Sequence, residues 1–412
     1  MSDNRYNEAK IKSRTIENYR RLIMDNFTFY SPTYFLFGKD TEKQTGEYVK
    51  KYGGHKVLIH YGGGSVKRSG LLDRVKASLD EAGVEYVELG GVAPNPKSGL
   101  IYEGIELARR EKVDFMLPIG GGSVIDSAKA IALGVPYDGD FWDFYTGKVV
   151  EEALPVGTIV TLAASGSEAS TDSVVTHEDG MHKRCADGDI LRPKFSIMNP
   201  ELTCSLPPYQ TASGVTDIIA HCMERYFSHT QGVELTDRML EAVMLTLIKE
   251  GKRAMADPEN YDARANIMWG ATVAHNNITG VGRAQDWGTH HMENELSTTY
   301  GCSHGEGLAV LFPSWMRYAM KEQGPERFVM FATRVWGCEM NFEDPEATAL
   351  EGIEKYEQFI KSIGMRTSIS ELGGKEEDIP KLVESMFFEA PNHGSFVQLT
   401  KEKAAEIYKM AL

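Results

Sequence analysis

Cysteine is scarce in this 412-residue chain: five thiols, at Cys185, Cys204, Cys222, Cys302 and Cys338, and no Cys-x-x-Cys pair. An odd, scattered set is not a disulfide framework, and it points to a reducing, cytoplasmic setting. No apolar run approaches the ~20 residues needed to cross a bilayer, and the N-terminus lacks the apolar core of a secretory leader. No membrane partner is expected. Positive charge is short as well. Forty-four Lys and Arg stand against 59 Asp and Glu, a formal charge of -15. Such a surface repels phosphate backbones and anionic lipid, so nucleic acid is not an expected partner. Also missing is a Gly-x-Gly-x-x-Gly fingerprint followed by a downstream carboxylate.

What remains is ordinary globular composition, 42% hydrophobic and 25% charged, in a chain long enough for two domains. Residues 1–23 are polar and charged and read as an N-terminal extension. Residues 24–205 alternate strands with helices. An aromatic stretch at 27–37, broken by Ser31-Pro32, predicts two short strands around a turn. Strands follow at 56–61 (KVLIHY), 84–89, 115–119, 154–162 and 195–198. Helical spacing covers 66–82, 98–110 and 124–132. That alternation implies a parallel sheet covered by helices. Residues 206–412 change texture, with helical periodicity at about 209–227, 233–256, 262–279, 285–297 and 305–320. The expected class is an α/β N-terminal domain followed by an all-α C-terminal domain.

Two glycine-rich loops sit at strand-to-helix junctions: Gly62-Gly63-Gly64-Ser65 and Gly120-Gly121-Gly122-Ser123. Glycine lets backbone approach a phosphate, and a helix start offers free N–H donors and positive dipole. Two such loops at the carboxyl ends of parallel strands predict a dinucleotide crevice. Small Ser65 and basic Lys67, with no carboxylate near, favour a 2′-phosphate, hence NADP(H) over NAD(H).

In the helical half, Asp217 and His221 stand four apart, one turn of a helix. Farther on come His290, His291 and His304. Three of these imidazoles together with the Asp217 carboxylate suit Fe(II) or Zn(II) and leave room for a substrate oxygen.

Taken in order, GGGSVIDSAK (120–129), TLAASGSEAS (161–170), the Asp217/His221 pair and the histidines at 290 and 304 resemble the iron-containing, group III alcohol dehydrogenases. Within them the chain looks like the branch of NADPH-dependent butanol dehydrogenases and aldehyde reductases. The resemblance implies the dehydroquinate synthase-like architecture, with a dinucleotide-binding α/β domain, a helical domain and a metal in the cleft between them. It carries the four metal ligands over to Asp217, His221, His290 and His304. It makes Gly120 to Ser123, with Asp126, the pyrophosphate loop, and it places Gly62 to Ser65 near the adenosine ribose. Asn95 falls on the adenine side, Thr161 and Ser165 at cofactor contacts, and Lys183 toward the nicotinamide ribose. It implies a homodimer that moves a hydride between NADP(H) and a small primary alcohol or aldehyde. Glycerol dehydrogenases and a carbon–oxygen lyase share the architecture and stand as alternatives. One position departs from the pattern. Four residues after the first late histidine the family has another histidine near the substrate, thought to move the proton; here it is Asn294. His291, about 100° around the helix, does not simply replace it.

Overall fold

The computed structural model describes residues 23–388 and 391–412. All but the last residue of the expected N-terminal extension lies outside them. Six parallel strands make the main sheet: β1 (Tyr34–Phe37), β2 (Lys56–Tyr61), β3 (Glu85–Leu89), β4 (Phe115–Gly120), β5 (Gly157–Val160) and β8 (Phe195–Met198), in the order β1-β8-β5-β4-β2-β3. Strands β2 and β4 are apolar along almost their whole length because both faces of a parallel sheet are covered. Val57, Ile59, Phe115 and Leu117 enter the core on one face. Leu58 and Met116, one residue out of phase, enter the core on the other. Helices α1 (Thr45–Lys51), α2 (Ser65–Arg68), α3 (Leu71–Ala82), α4 (Ser98–Glu111) and α5 (Gly122–Gly134) connect the strands.

Four departures from expectation have local causes. The aromatic stretch yields one strand, not two. Tyr34 pairs with Phe195, so the next pairs outward would set Pro32 against Pro193, and neither has an N–H to give. The helix over 66–82 is broken where Gly70 turns left-handed, at φ 68. The strand over 154–162 shrinks to Gly157–Val160. An antiparallel hairpin, β6 (Asp172–His177) with β7 (His182–Asp187), appears where no strand was expected.

The second half is helical: α6 (Pro208–Tyr226), α7 (Glu234–Ala256), α8 (Tyr261–His275), α9 (Gly288–Tyr300) and α10 (His304–Gln323). Beyond them lie α11 (Glu326–Val335), α12 (Pro345–Ser362), α13 (Ile379–Met386) and α14 (Lys401–Met410). These helices share one apolar core, with Phe227, Trp315 and Phe331 fully buried in it. No helix among the described residues is long and apolar enough to cross a membrane.

Two buried polar side chains tie the sheet to what surrounds it. Lys129 on α5 is fully buried, and its ammonium donates to the carbonyls of Ser167 (2.8 Å), Ser170 (3.0 Å) and Asp172 (2.8 Å). It thereby holds the loop between β5 and β6. His60 on β2, also fully buried, donates from Nδ1 to the Leu89 carbonyl at 2.8 Å and accepts at Nε2 from the Ser127 hydroxyl at 2.9 Å. Burial lowers its pKa to about 4. The unfolded chain therefore takes up this proton first. The stabilisation is complete above the unfolded value near 6.5 and is lost as pH falls toward 4, about 2 kcal/mol of it between pH 7 and pH 5. Urea unfolding at those two pH values should show His60→Gln with a pH dependence smaller by about that amount. An unchanged dependence would mean that His60 does not titrate on unfolding.

Candidate metal and dinucleotide site

A cavity of about 870 Å³ opens between the carboxyl edge of the sheet and the helical half. Chain order explains its place. From β2 the chain steps outward to β3 and then returns to β4 on the opposite side of β2. That reversal leaves a crevice beyond the carboxyl ends of β2 and β4, and both glycine loops flank it. Gly62, Gly63 and Ser65 line it after β2, with Asn95 from the turn after β3. Gly120, Gly121, Gly122 and Ser123 line it after β4, where α5 begins. A Cβ on Gly122 would stand 2.2 Å from the Ser165 hydroxyl, and one on Gly121 3.0 Å from Leu162. The loop is thus glycine because the β5–β6 segment closes over it. Thr161 and Ser165 of that segment also face the cavity.

Asp126 lines it too, accepting from the Ser167 hydroxyl at 2.6 Å. Burial raises its pKa to about 6 although Lys129 pulls the other way. Two expected cofactor residues are not on the wall. Gly64 serves the turn, at φ 105. Lys67 lies back over the Tyr61 ring, 5.0 Å from its centroid.

Deeper in, helices α6, α9 and α10 converge. Asp217, His290 and His304 bring one donor atom each to within 4.8 Å of one another. Asp217 Oδ1 lies 3.8 Å from His304 Nε2 and 3.7 Å from His221 Nε2. His221 stands beside the trio, its ring stacked 5.0 Å from that of His290. Bonds of ~2.0–2.2 Å to one cation set its ligands ~3–4 Å apart, the scale of these separations. Asp217 Oδ1 and His290 Nε2 are buried with no hydrogen-bond partner. Such orphaned acceptors are costly unless something binds them. Burial lowers the pKa of His221 and His290 well below the usual histidine value, and their imidazole and Arg225 neighbours add to it. Both rings are therefore neutral, the form that ligates. The donor set fits a divalent first-row cation.

Two buried carboxylates aim the rings. Glu224 accepts from His290 Nδ1 at 2.7 Å, from the His290 amide at 3.0 Å and from the Trp287 amide at 2.7 Å. It caps the start of α9 and holds Trp287 in a left-handed conformation, φ 63, that a bulky residue adopts only under constraint. Glu293 accepts from His304 Nδ1. Burial would raise its pKa, but His304 and Lys183 outweigh that and hold it below the usual value. Each histidine so held presents Nε2 to the common centre.

Two family models match the sequence: iron-containing alcohol dehydrogenase over residues 32–200, and the C-terminal model of the Fe-containing alcohol dehydrogenase family over residues 211–412. The chain belongs to the iron-containing alcohol dehydrogenase family. A probable NADH-dependent butanol dehydrogenase 2 of Bacillus subtilis is 40% identical, over 94% of this chain and 100% of the relative. The NADPH-dependent aldehyde reductase YqhD of Escherichia coli is 36% identical, over 88% of this chain and 93% of the relative. The crystal structure of NADH-dependent butanol dehydrogenase A from Thermotoga maritima superposes with a TM-score of 0.91 at 38% identity, covering 95% of this chain and 99% of that one.

As a member of this oxidoreductase family the chain has its α/β and helical halves where the resemblance implied. Lys183 and Asn294 both face the cavity. The Lys183 ammonium, expected at a ribose, donates here to Glu293 at 3.2 Å and Ser297 at 3.0 Å. His291 lines the cavity as well, and its Nδ1 lies 3.0 Å from Nδ1 of His393.

Sequence reasoning missed Glu224 and Glu293, although a signal was present. His-x-Met-Glu occurs twice, at 221–224 and 290–293. Both methionines are fully buried, and each glutamate serves a histidine on another helix. Glu224→Ala should weaken retention of the cation by about 10- to 100-fold, whereas Glu224→Gln, which still accepts from the ring, should lose less. Metal content after dialysis against a weak chelator measures both. Equal retention in wild type and Glu224→Ala would show that His290 needs no such support.

Proposed function

We propose that the chain reduces small aldehydes to primary alcohols, and runs the reverse, with NADP(H) and a divalent metal, iron(II) or zinc(II). The observation that carries this is the convergence of Asp217, His290 and His304 in the same cavity as both glycine loops. The similarity to butanol dehydrogenases and an aldehyde reductase supports it. When bound, the cation supplies the charge that polarises a carbonyl oxygen, and the dinucleotide supplies the hydride.

The protein's own part is orientation. The first amides of α5 and the bare backbone of Gly120 to Gly122 receive a pyrophosphate. Asp217, His221, His290 and His304 hold the metal. Asn294, one turn beyond His290, offers a substrate oxygen or a water a hydrogen bond but no titratable proton. Linear short- to medium-chain aldehydes are the substrate class.

NADP(H) is preferred because the wall near Gly62 and Ser65 offers no carboxylate to repel a 2′-phosphate. Glu88, the acid nearest the end of β3, is held by Lys76 and by the Tyr61 hydroxyl at 3.1 Å. Five free thiols suit the reducing cytoplasm. The edge strand β1, with Tyr34 and Phe37 exposed, gives a second copy a strand to pair with in a homodimer.

The test is metal analysis of the purified protein together with NADPH oxidation across an aldehyde panel. His304→Ala should lose the metal and the activity together. Full turnover by metal-free His304→Ala would overturn the assignment. The cofactor reading is checked separately: kcat/KM should be at least about tenfold higher with NADPH than with NADH, about 1.4 kcal/mol of discrimination. Equal values would refute it.

A further inference from the structure

We propose that Lys183, a residue of the dinucleotide half, positions the metal ligand His304 through Glu293. The inference rests on the metal reading above and adds to it a link across the cleft. Lys183 stands on β7 and is 5% exposed. Its ammonium donates to Glu293 Oε2 at 3.2 Å and to the Ser297 hydroxyl at 3.0 Å, both on α9. Glu293, fully buried, accepts in turn from Nδ1 of His304 at the start of α10.

On the α10 side the carboxylate is closely confined. A Cβ on Gly307 would meet Glu293 Cγ and Oε1 at 2.7 Å each, so α10 passes against the acid with only a glycine's clearance. With Lys183 gone, a buried anion would lose its cation partner. The ring of His304 would then hang on a carboxylate that Lys183 no longer fixes, and Nε2 would be held less firmly toward Asp217 Oδ1. Lys183 spends two of its three donors on this task. The third is left for the dinucleotide, so one side chain serves both ligands of the cleft.

The two roles separate in the metal-stripped protein reloaded with Zn(II), with no dinucleotide present, using a competing chelator to read affinity. Lys183→Met should weaken Zn(II) binding by about 10- to 100-fold, and Lys183→Arg should restore most of it. Glu293→Gln should show a loss of similar size. The double variant should bind no more weakly than Glu293→Gln alone, since both act through one path. Should Lys183→Met fail to fold, Lys183→Gln serves the same comparison. Wild-type Zn(II) affinity in Lys183→Met would overturn the proposal and leave Lys183 a dinucleotide contact only. Fully additive losses would overturn it too. Failure of the wild-type protein itself to bind Zn(II) would instead refute the metal reading, and this inference with it.

Discussion

Two carboxylates taken wholly out of water, Glu224 and Glu293, decide where the histidines of this cleft point. An imidazole has two nitrogens on opposite sides of one ring. Once Nδ1 is committed to a buried acid, Nε2 has one direction left. His290 and His304 are fixed in this way from different helices, and their free nitrogens meet beside Asp217. Burying such acids is expensive unless charge is balanced nearby. Glu293 has the Lys183 ammonium at 3.2 Å, burial pushes Glu224 well above the usual carboxylate range, and Asp217 Oδ1 has no hydrogen-bond partner. A divalent cation beside Asp217 would belong to the electrostatics of the core as much as to the chemistry. Asp217 shows the same thing from the other side. Burial lifts its pKa to about 6 even though His304 pulls it down.

The sheet contributes a different constraint. Its order reverses at β2, and the crevice beyond the strand ends is flanked by two glycine-rich loops. Backbone amides and a helix start bind phosphate without adding formal charge, which suits a chain that is strongly acidic overall. The glycines of the two loops are not all there for one reason. Gly122 is bare because Ser165 closes over it, whereas Gly64 is bare because the turn needs a positive φ. Two loops that look alike in sequence therefore meet different demands, which is why Gly64 is absent from the wall while Gly122 is on it.

Much of this was legible in the residues. Parallel strands buried on both faces read as apolar runs, so β2, β4 and β8 were plain in KVLIHY, FMLPI and FSIM. Long amphipathic helices announce themselves by period, and α6 to α10 did. The β6–β7 hairpin did not, because DSVVTH and HKRCAD each begin and end on a polar residue and hold at most two adjacent apolar ones. Their outward faces look into a polar cleft rather than into a core. Helices α11 to α14 went unassigned in the same reading, although α11 and α13 bury one clear apolar face each. Of the site, the residues that gather in the cavity, Asp217, His290 and His304, could be picked out, but which acid holds which ring could not. A glutamate three residues after a histidine on a helix suggests a partner for that same histidine. Here Glu224 serves His290 and Glu293 serves His304, pairings that only the crossing of helices creates. Lys183 shows the limit of carrying a role across by resemblance. It was expected to reach toward the nicotinamide ribose; it lines the cavity, and its ammonium rests on Glu293 and Ser297.

Asn294 ties these threads to the direction of the reaction. A titrating group at that position would pass a proton away from an alcohol as it is oxidised, and an amide cannot. Reduction asks less of the wall. The carbonyl needs polarisation at the moment of hydride transfer, and the proton that completes the alcohol can come from water afterwards. An amide that holds a water or a substrate oxygen by a hydrogen bond meets that need. The other histidine close to this wall, His291, has Nδ1 engaged with His393, whose Nε2 donates to the Met386 carbonyl at 3.0 Å. With that tautomer fixed, His393 Nδ1 accepts, so His291 Nδ1 must carry the proton and leaves Nε2 as an acceptor. The wall therefore keeps its hydrogen-bonding capacity at Asn294 without a readily titrating group there.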